Sequence, residues 1–119
     1  TGVVKIQFRQ EGTEVEFNEQ NSIFLFRIFQ EALNNTLKHA KATEIIINLD
    51  YSEGAFILEM RDNGIGFDLA KKQQSATSYS GVGLKSMFNR AKLIGAHISI
   101  NSEYGKGTII LIKLPLQNE

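Results

Sequence analysis

Glu44-Ile45-Ile46-Ile47-Asn48-Leu49-Asp50-Tyr51-Ser52-Glu53-Gly54-Ala55-Phe56-Ile57-Leu58-Glu59-Met60-Arg61-Asp62-Asn63-Gly64-Ile65-Gly66 is the run whose reading decides the fold. Ile45, Ile47 and Leu49 alternate with Glu44, Asn48 and Asp50. After a Ser52-Glu53-Gly54 turn, Phe56, Leu58 and Met60 alternate with Glu59 and Arg61. A period of two on both sides of a turn predicts two paired strands, each with one buried face. Asp62-Asn63-Gly64-Ile65-Gly66 then breaks the pattern abruptly.

The same reading extends outward in both directions. Val4, Ile6 and Phe8 alternate with Lys5, Gln7 and Arg9, which predicts a half-buried strand. Glu11-Gly12-Thr13 would turn it into a short partner at Val15 and Phe17, giving a hairpin. A helix is expected from a cap at Asn21 or Ser22 to about Ala40. Its apolar side would hold Phe26, Phe29, Leu33, Thr36, Leu37 and Ala40, with Arg27, Glu31, Asn35 and Lys38 opposite. Residues 67–80 are polar without a firm period and read as a mobile loop. Leu84, Met87, Phe88, Ala91 and Ile94 keep helical spacing up to a stop at Gly95. Ile98 and Ile100 mark a strand, Tyr104-Gly105-Lys106-Gly107 a turn, and Thr108 to Leu114 the last strand. These elements make one layer of helices on one mostly antiparallel sheet, an α+β sandwich.

Composition narrows what such a domain can do. At 119 residues it should form one domain, with enough core to bury about two-thirds of its unfolded surface. There is no cysteine, which excludes disulfide scaffolds and thiolate metal sites. The apolar runs at 23–26 and 109–112 are far shorter than the ~18 residues of a spanning helix, and nothing has the make-up of a secretory signal. Thirteen basic residues balance thirteen acidic ones, which argues against broad binding of nucleic acid or an anionic membrane. The chain opens without methionine in strand-like sequence, as expected of a domain cut from a longer protein. Seven of its ten glycines fall between Gly64 and Gly107, so the turns of that half carry the chemical interest.

Three groups of residues could carry chemistry. By strand parity Asp62 shares a face with Phe56, Leu58 and Met60, where a carboxylate is costly unless hydrogen bonds reach it. It is either a turn aspartate capping its own backbone or an acceptor for a ligand amino group, with Gly64 and Gly66 allowing close approach. Gly81-Val82-Gly83 stands before a helix, whose first amides suit a phosphate or simply follow a loop. No Walker-type or Gly-x-Gly-x-x-Gly sequence accompanies it. Glu31 and Asn35 lie one helical turn apart, with Lys38 and His39 following. That stripe is either a solvated face or, with its carboxylate and amide oxygens, a place for hydrated magnesium and nucleotide phosphates.

Taken in order, Glu31-Ala32-Leu33-Asn34-Asn35-Thr36-Leu37-Lys38-His39-Ala40, Asp62-Asn63-Gly64-Ile65-Gly66-Phe67, Gly81-Val82-Gly83-Leu84 and Gly105-Lys106-Gly107-Thr108 closely resemble the ATP-binding domain of sensor histidine kinases. These belong to the superfamily shared with DNA gyrase, Hsp90 and MutL, and the first segment looks most like the nitrate-sensor and desaturase-regulating branch. The resemblance implies a Bergerat-type fold, a mostly antiparallel mixed sheet with about three helices on one face. It implies ATP and Mg2+ as cofactors: Asn35 would ligate magnesium, and Glu31 would assist transfer as base or water-positioner. Lys38 and His39 would lie near the phosphates. Asp62 would receive the adenine amino group beside Gly64 and Gly66. The Gly81, Val82, Gly83 and Leu84 segment would meet phosphate at the end of a lid formed by 67–80, and Thr108 would flank adenine.

The γ-phosphoryl group would pass to a histidine on a separate dimerisation domain, upstream and outside this chain, and then to a response regulator. Neither His39 nor His97 suits that acceptor role. The implied setting is a cytoplasmic catalytic domain, spanning 1–119, that touches neither nucleic acid nor membrane, whatever anchors the protein upstream. An anti-sigma-factor-type serine kinase and a non-catalytic nucleotide-binding module are the alternatives on the same fold.

Overall fold

A computed structural model describes residues 3–39, 41–52, 54–66 and 79–116. The elements run β1 (Lys5–Gly12), α1 (Glu19–His39), β2 (Glu44–Ser52), β3 (Ala55–Asp62), α2 (Tyr79–Leu93), β4 (His97–Glu103) and β5 (Gly107–Pro115). One five-stranded sheet has the order β1-β2-β3-β5-β4. Strand β1 runs parallel to β2, and every other neighbouring pair is antiparallel. The expected α+β sandwich with a mixed, mostly antiparallel sheet is the observed one, and the described residues hold two of its helices.

The alternation of the β2–β3 run sets the core. Ile45 and Ile47 on β2, Phe56, Leu58 and Met60 on β3, and Ile110, Ile112 and Leu114 on β5 share the inner face. Leu25, Ile28 and Ala32 of α1 and Met87 and Ala91 of α2 close over them. Ile28, Ile45, Met60, Met87 and Ile112 are each less than 2% exposed. Burying a side chain of this size is worth about 1.5–3 kcal/mol, so this layer dominates stability.

Four sequence expectations about these elements need correction. The first strand does not form a hairpin with Val15 and Phe17. It pairs in parallel with β2, with α1 as the crossover, because residues 13–18 carry the chain toward the helix. Phe17 there packs edge-on to Phe56, ring centroids 5.1 Å apart, and stacks near Tyr51. Burial also differs from the half-buried expectation: β1 is exposed along its whole length, since it is an edge strand that α1 only partly covers. Phe8 and Phe26 remain 58% and 61% exposed, rimming an apolar hollow with Phe29 and Leu25.

The helix start lies earlier than Asn21 or Ser22. Asn18 is the cap: its Oδ1 accepts the Asn21 amide at 2.8 Å, and its carbonyl accepts the Ser22 amide at 3.0 Å. The buried stripe of α1 is also turned, by roughly 80° on a helical wheel, from the centre of its apolar residues. Leu25, Ile28, Ala32 and Thr36 face the core, while Phe26 and Leu37 flank it in solvent. Glu31 and Asn35 are therefore half-buried beside the core instead of opposite it.

At the other end of the chain, α2 stops as its sequence predicts. The Ala96 amide donates to the Ala91 carbonyl at 2.8 Å and the Gly95 amide to Lys92 at 3.2 Å, the bond pattern of a Schellman cap.

Candidate functional site

The end of β3 where alternation breaks is also where three parts of the chain converge. Asp62 closes β3 on the inner face, opposite Ile45 on one side and Thr108 on the other. Its Oδ1 accepts the Gly64 amide at 2.8 Å, so the turn-capping reading of this aspartate holds. The Thr108 amide and the Thr36 hydroxyl also donate to the carboxylate. Burial nevertheless pushes the Asp62 carboxyl above its ordinary value, these three hydrogen bonds opposing the shift without cancelling it. A half-buried carboxylate held this way is an acceptor suited to a ligand that brings its own donor.

Thr36 joins Asp62 to the Glu31–Asn35 stripe of α1. It lies on the buried stripe of α1, 5% exposed, with its hydroxyl 3.9 Å from Met60 Sδ and bonded to Asp62. Asn35 precedes it, and Glu31 lies one turn earlier on the same half-buried flank. Lys38 is exposed near the end of the helix, and His39 is its last residue.

The turn after Asp62 is built on backbone contacts that only glycine permits. Gly66 has φ +70°, and a Cβ there would collide with the Glu103 carbonyl oxygen. Gly107 has φ +82°, and its Cβ would collide with the Asp62 carbonyl oxygen. The Gly105 amide donates to the Ile65 carbonyl at 2.6 Å, tying the β4–β5 turn to the β3 turn. Asn63 clamps the other side: its Oδ1 accepts the Thr43 and Glu44 amides, each at 2.9 Å, and its Nδ2 donates to Thr43 Oγ1 at 2.9 Å. Gly64 is buried within this knot.

Gly81, Val82 and Gly83 do not precede a helix as expected. They lie inside α2, which begins at Tyr79 and is anchored by buried Leu84 and Met87. The amides with no partner inside that helix are those of its first four residues, so Gly81 and Val82 contribute two. The expected lid falls almost wholly outside the described residues; Tyr79 and Ser80 open α2.

The structure thus brings together Asp62, Gly64, Gly66 and Thr108, and hangs the Glu31–Asn35 flank beside them through Thr36. Sequence reasoning missed Thr36, counted only as an apolar-face residue, the Asn63 clamp, and Ser102, whose Oγ lies 2.7 Å from Thr108 Oγ1. Only strand parity, carried to residue 102, could have pointed to that contact.

Magnesium, which the family resemblance implies, can be tested against the donor set. Among the described residues no three His, Cys, Asp or Glu side chains converge to hold a metal. Asn35 and Glu31 offer oxygen donors one turn apart, which fits a hard cation that completes its shell with phosphate and water.

A profile of the family described as Histidine kinase-, DNA gyrase B-, and HSP90-like ATPase matches residues 20–118. The chain belongs to this family. Similar proteins include the signal transduction histidine-protein kinase/phosphatase DegS of Bacillus subtilis, 38% identical over 117 residues, covering 97% of this chain and 30% of that protein. The sensor protein VraS of Staphylococcus saprophyticus is 45% identical over 95 residues, covering 80% of this chain and 26% of that one. This ATPase-family chain therefore spans less than a third of the length of these relatives. Its fold matches the Acinetobacter baumannii histidine kinase AdeS with a TM-score of 0.78 at 16% identity, covering 97% of this chain and 55% of the other. It also matches the histidine kinase domain of an Erythrobacter litoralis blue-light activated kinase, TM-score 0.71 at 19% identity, covering 93% and 55%.

Proposed function

We propose that this chain is the Mg-ATP-binding catalytic domain of a two-component sensor histidine kinase, passing the γ-phosphoryl group to a histidine on a separate dimerisation domain. The observation that carries the reading is Asp62: a half-buried carboxylate on the sheet's inner face, fixed by Thr36, Gly64 and Thr108. The names of the relatives support a histidine kinase over a serine kinase of the anti-sigma type.

In this reading Asp62 accepts from the adenine 6-amino group, with Thr108 beside it and Gly64 and Gly66 keeping side chains out of the way. Asn35 is the magnesium ligand on the chain, and Lys38, His39 and the first amides of α2, with Gly81, Val82, Gly83 and Leu84, line the phosphate end. When bound, magnesium neutralises charge on the transferring phosphoryl group. The chain's own work is positioning and electrostatics, with Glu31 drawing the proton or ordering the attacking group. The implied partners are the phosphoacceptor domain and, downstream, a response regulator.

Two variants test the assignment together, with binding followed by calorimetry using a non-hydrolysable ATP analogue and magnesium. Asp62→Asn should lose analogue binding, because an amide nitrogen then faces the ligand's donor. Glu31→Gln should bind the analogue as wild type does, yet slow transfer to an added histidine-bearing domain by about 10²–10⁴. Unchanged binding in Asp62→Asn would overturn the adenine site. Equal loss of binding and transfer in Glu31→Gln would make Glu31 structural.

A further inference from the structure

Strand β1 ends the sheet with its outer margin open. It pairs with β2 residue for residue from Lys5–Glu44 to Gly12–Tyr51, without a bulge, and no described strand lies beyond it. The Lys5 amide donates to the Thr43 carbonyl at 2.9 Å, so the backbone groups of Lys5, Gln7, Arg9 and Glu11 point toward β2. Those of Ile6, Phe8 and Gln10 point the other way, off the sheet. Sheet edges are commonly blunted by proline, a bulge or an inward-pointing charge, and β1 has none of these. Its inner face carries Ile6 and Phe8, 48% and 58% exposed, with Phe26 of α1 beside Phe8. Its charges, Lys5, Arg9 and Glu11, all lie on the outer face.

We propose that the β1 edge takes a second copy of this chain, the two β1 strands pairing antiparallel about a two-fold axis at Phe8. The charges choose that register. With Phe8 opposite Phe8, Lys5 of each copy stands opposite Glu11 of the other, and Gln7 opposite Arg9. The Ile6–Gln10, Phe8–Phe8 and Gln10–Ile6 pairs then each exchange both of their backbone hydrogen bonds. Moving the axis to Gln7 sets Lys5 against Arg9, and moving it to Arg9 sets arginine against arginine. Like charges directly opposite are destabilising, whereas opposite charges and aromatic pairs stabilise a sheet. Moving the axis further, to Ile6 or Gln10, shortens the overlap. Paired residues share a face, so both inner faces lie on one side and each exposed Phe8 is covered by the other. The inference stands apart from the nucleotide reading, whose central residues lie on β3 and β5.

Sedimentation equilibrium of the chain at rising concentration tests it. Wild type should be monomeric near ~10 μM, where β1 stays an open edge, and largely dimeric near ~1 mM. Lys5→Glu and Glu11→Lys each set like charges opposite at both ends of the pair, so either variant alone should dimerise about tenfold more weakly. Both side chains are exposed, so neither substitution threatens the fold. Mixed in equal amounts, the two variants restore opposite charges and should pair at least as well as wild type. A chain that stays monomeric at ~1 mM, or that forms species larger than a dimer, overturns the proposal and leaves the edge to a different partner. So does a dimer that the single reversals do not weaken, or one that mixing them does not restore.

Discussion

Asp62 works against the apo domain that carries it. Its folded-state acidity is weakened by burial, so the folded protein holds the proton more tightly than the unfolded chain does. Stability from this group is accordingly lost as pH rises from the ordinary value of 3.8 through the raised folded value. Above that value the charged carboxylate is a constant cost. Asp62→Asn removes the cost, so in the absence of nucleotide the variant should unfold no more easily than wild type at pH 7. The comparison should shift in favour of wild type as pH falls toward 3.8, where both proteins carry a neutral group. Urea denaturation at a series of pH values checks this. A variant markedly weaker at pH 7 would make Asp62 a structural aspartate first. The inner-face position of Asp62 was legible in the sequence, because parity put a carboxylate on an apolar face immediately before paired glycines. Thr36, Asn63 and Ser102 were not, because a lone hydroxyl or amide has no period and acquires its meaning only from a partner on another strand.

At the scale of elements, α1 divides into two jobs. Its first turn is held by Asn18, and its last three turns carry Glu31, Asn35 and Thr36 to the candidate site. The 21-residue helix is about 30 Å long, so the cap and the site are remote from each other. Asn18→Ala should destabilise the domain by about 1 kcal/mol while leaving nucleotide affinity as it was, read by thermal melting and by titration. Loss of affinity beyond the fraction unfolded would show that the helix transmits strain along its length. The wheel located this helix but misplaced its buried side, because Phe26 and Leu37 are large and apolar yet exposed. Periodicity reports where apolar residues are, and edge aromatics that the sheet does not reach pull the apparent centre away. Strands β2 to β5 were legible for the converse reason: each has a neighbour on both sides or a strict alternation. The partner of β1 was not, since alternation fixes a strand's faces and says nothing of which strand lies beside it.

Across the whole molecule the candidate site residues gather at one end of the sheet, on the strands nearest its middle. Strands β3 and β5 carry Asp62 and Thr108, and each is hydrogen-bonded on both sides. Strand β1 is bonded on one side only and is exposed throughout. The same fold that makes β1 an edge therefore makes it the cheapest part to open. In hydrogen exchange its amides should exchange first and those of β3 last, and bound nucleotide should slow the 62–66 and 102–108 segments without slowing β1. Protection of β1 as strong as that of β3 would mean that the sheet opens only as a whole. A domain arranged this way can fray repeatedly at one margin while a ligand held by the central strands stays where it is. Its working lifetime with ligand bound is then set by the central strands and not by its weakest one.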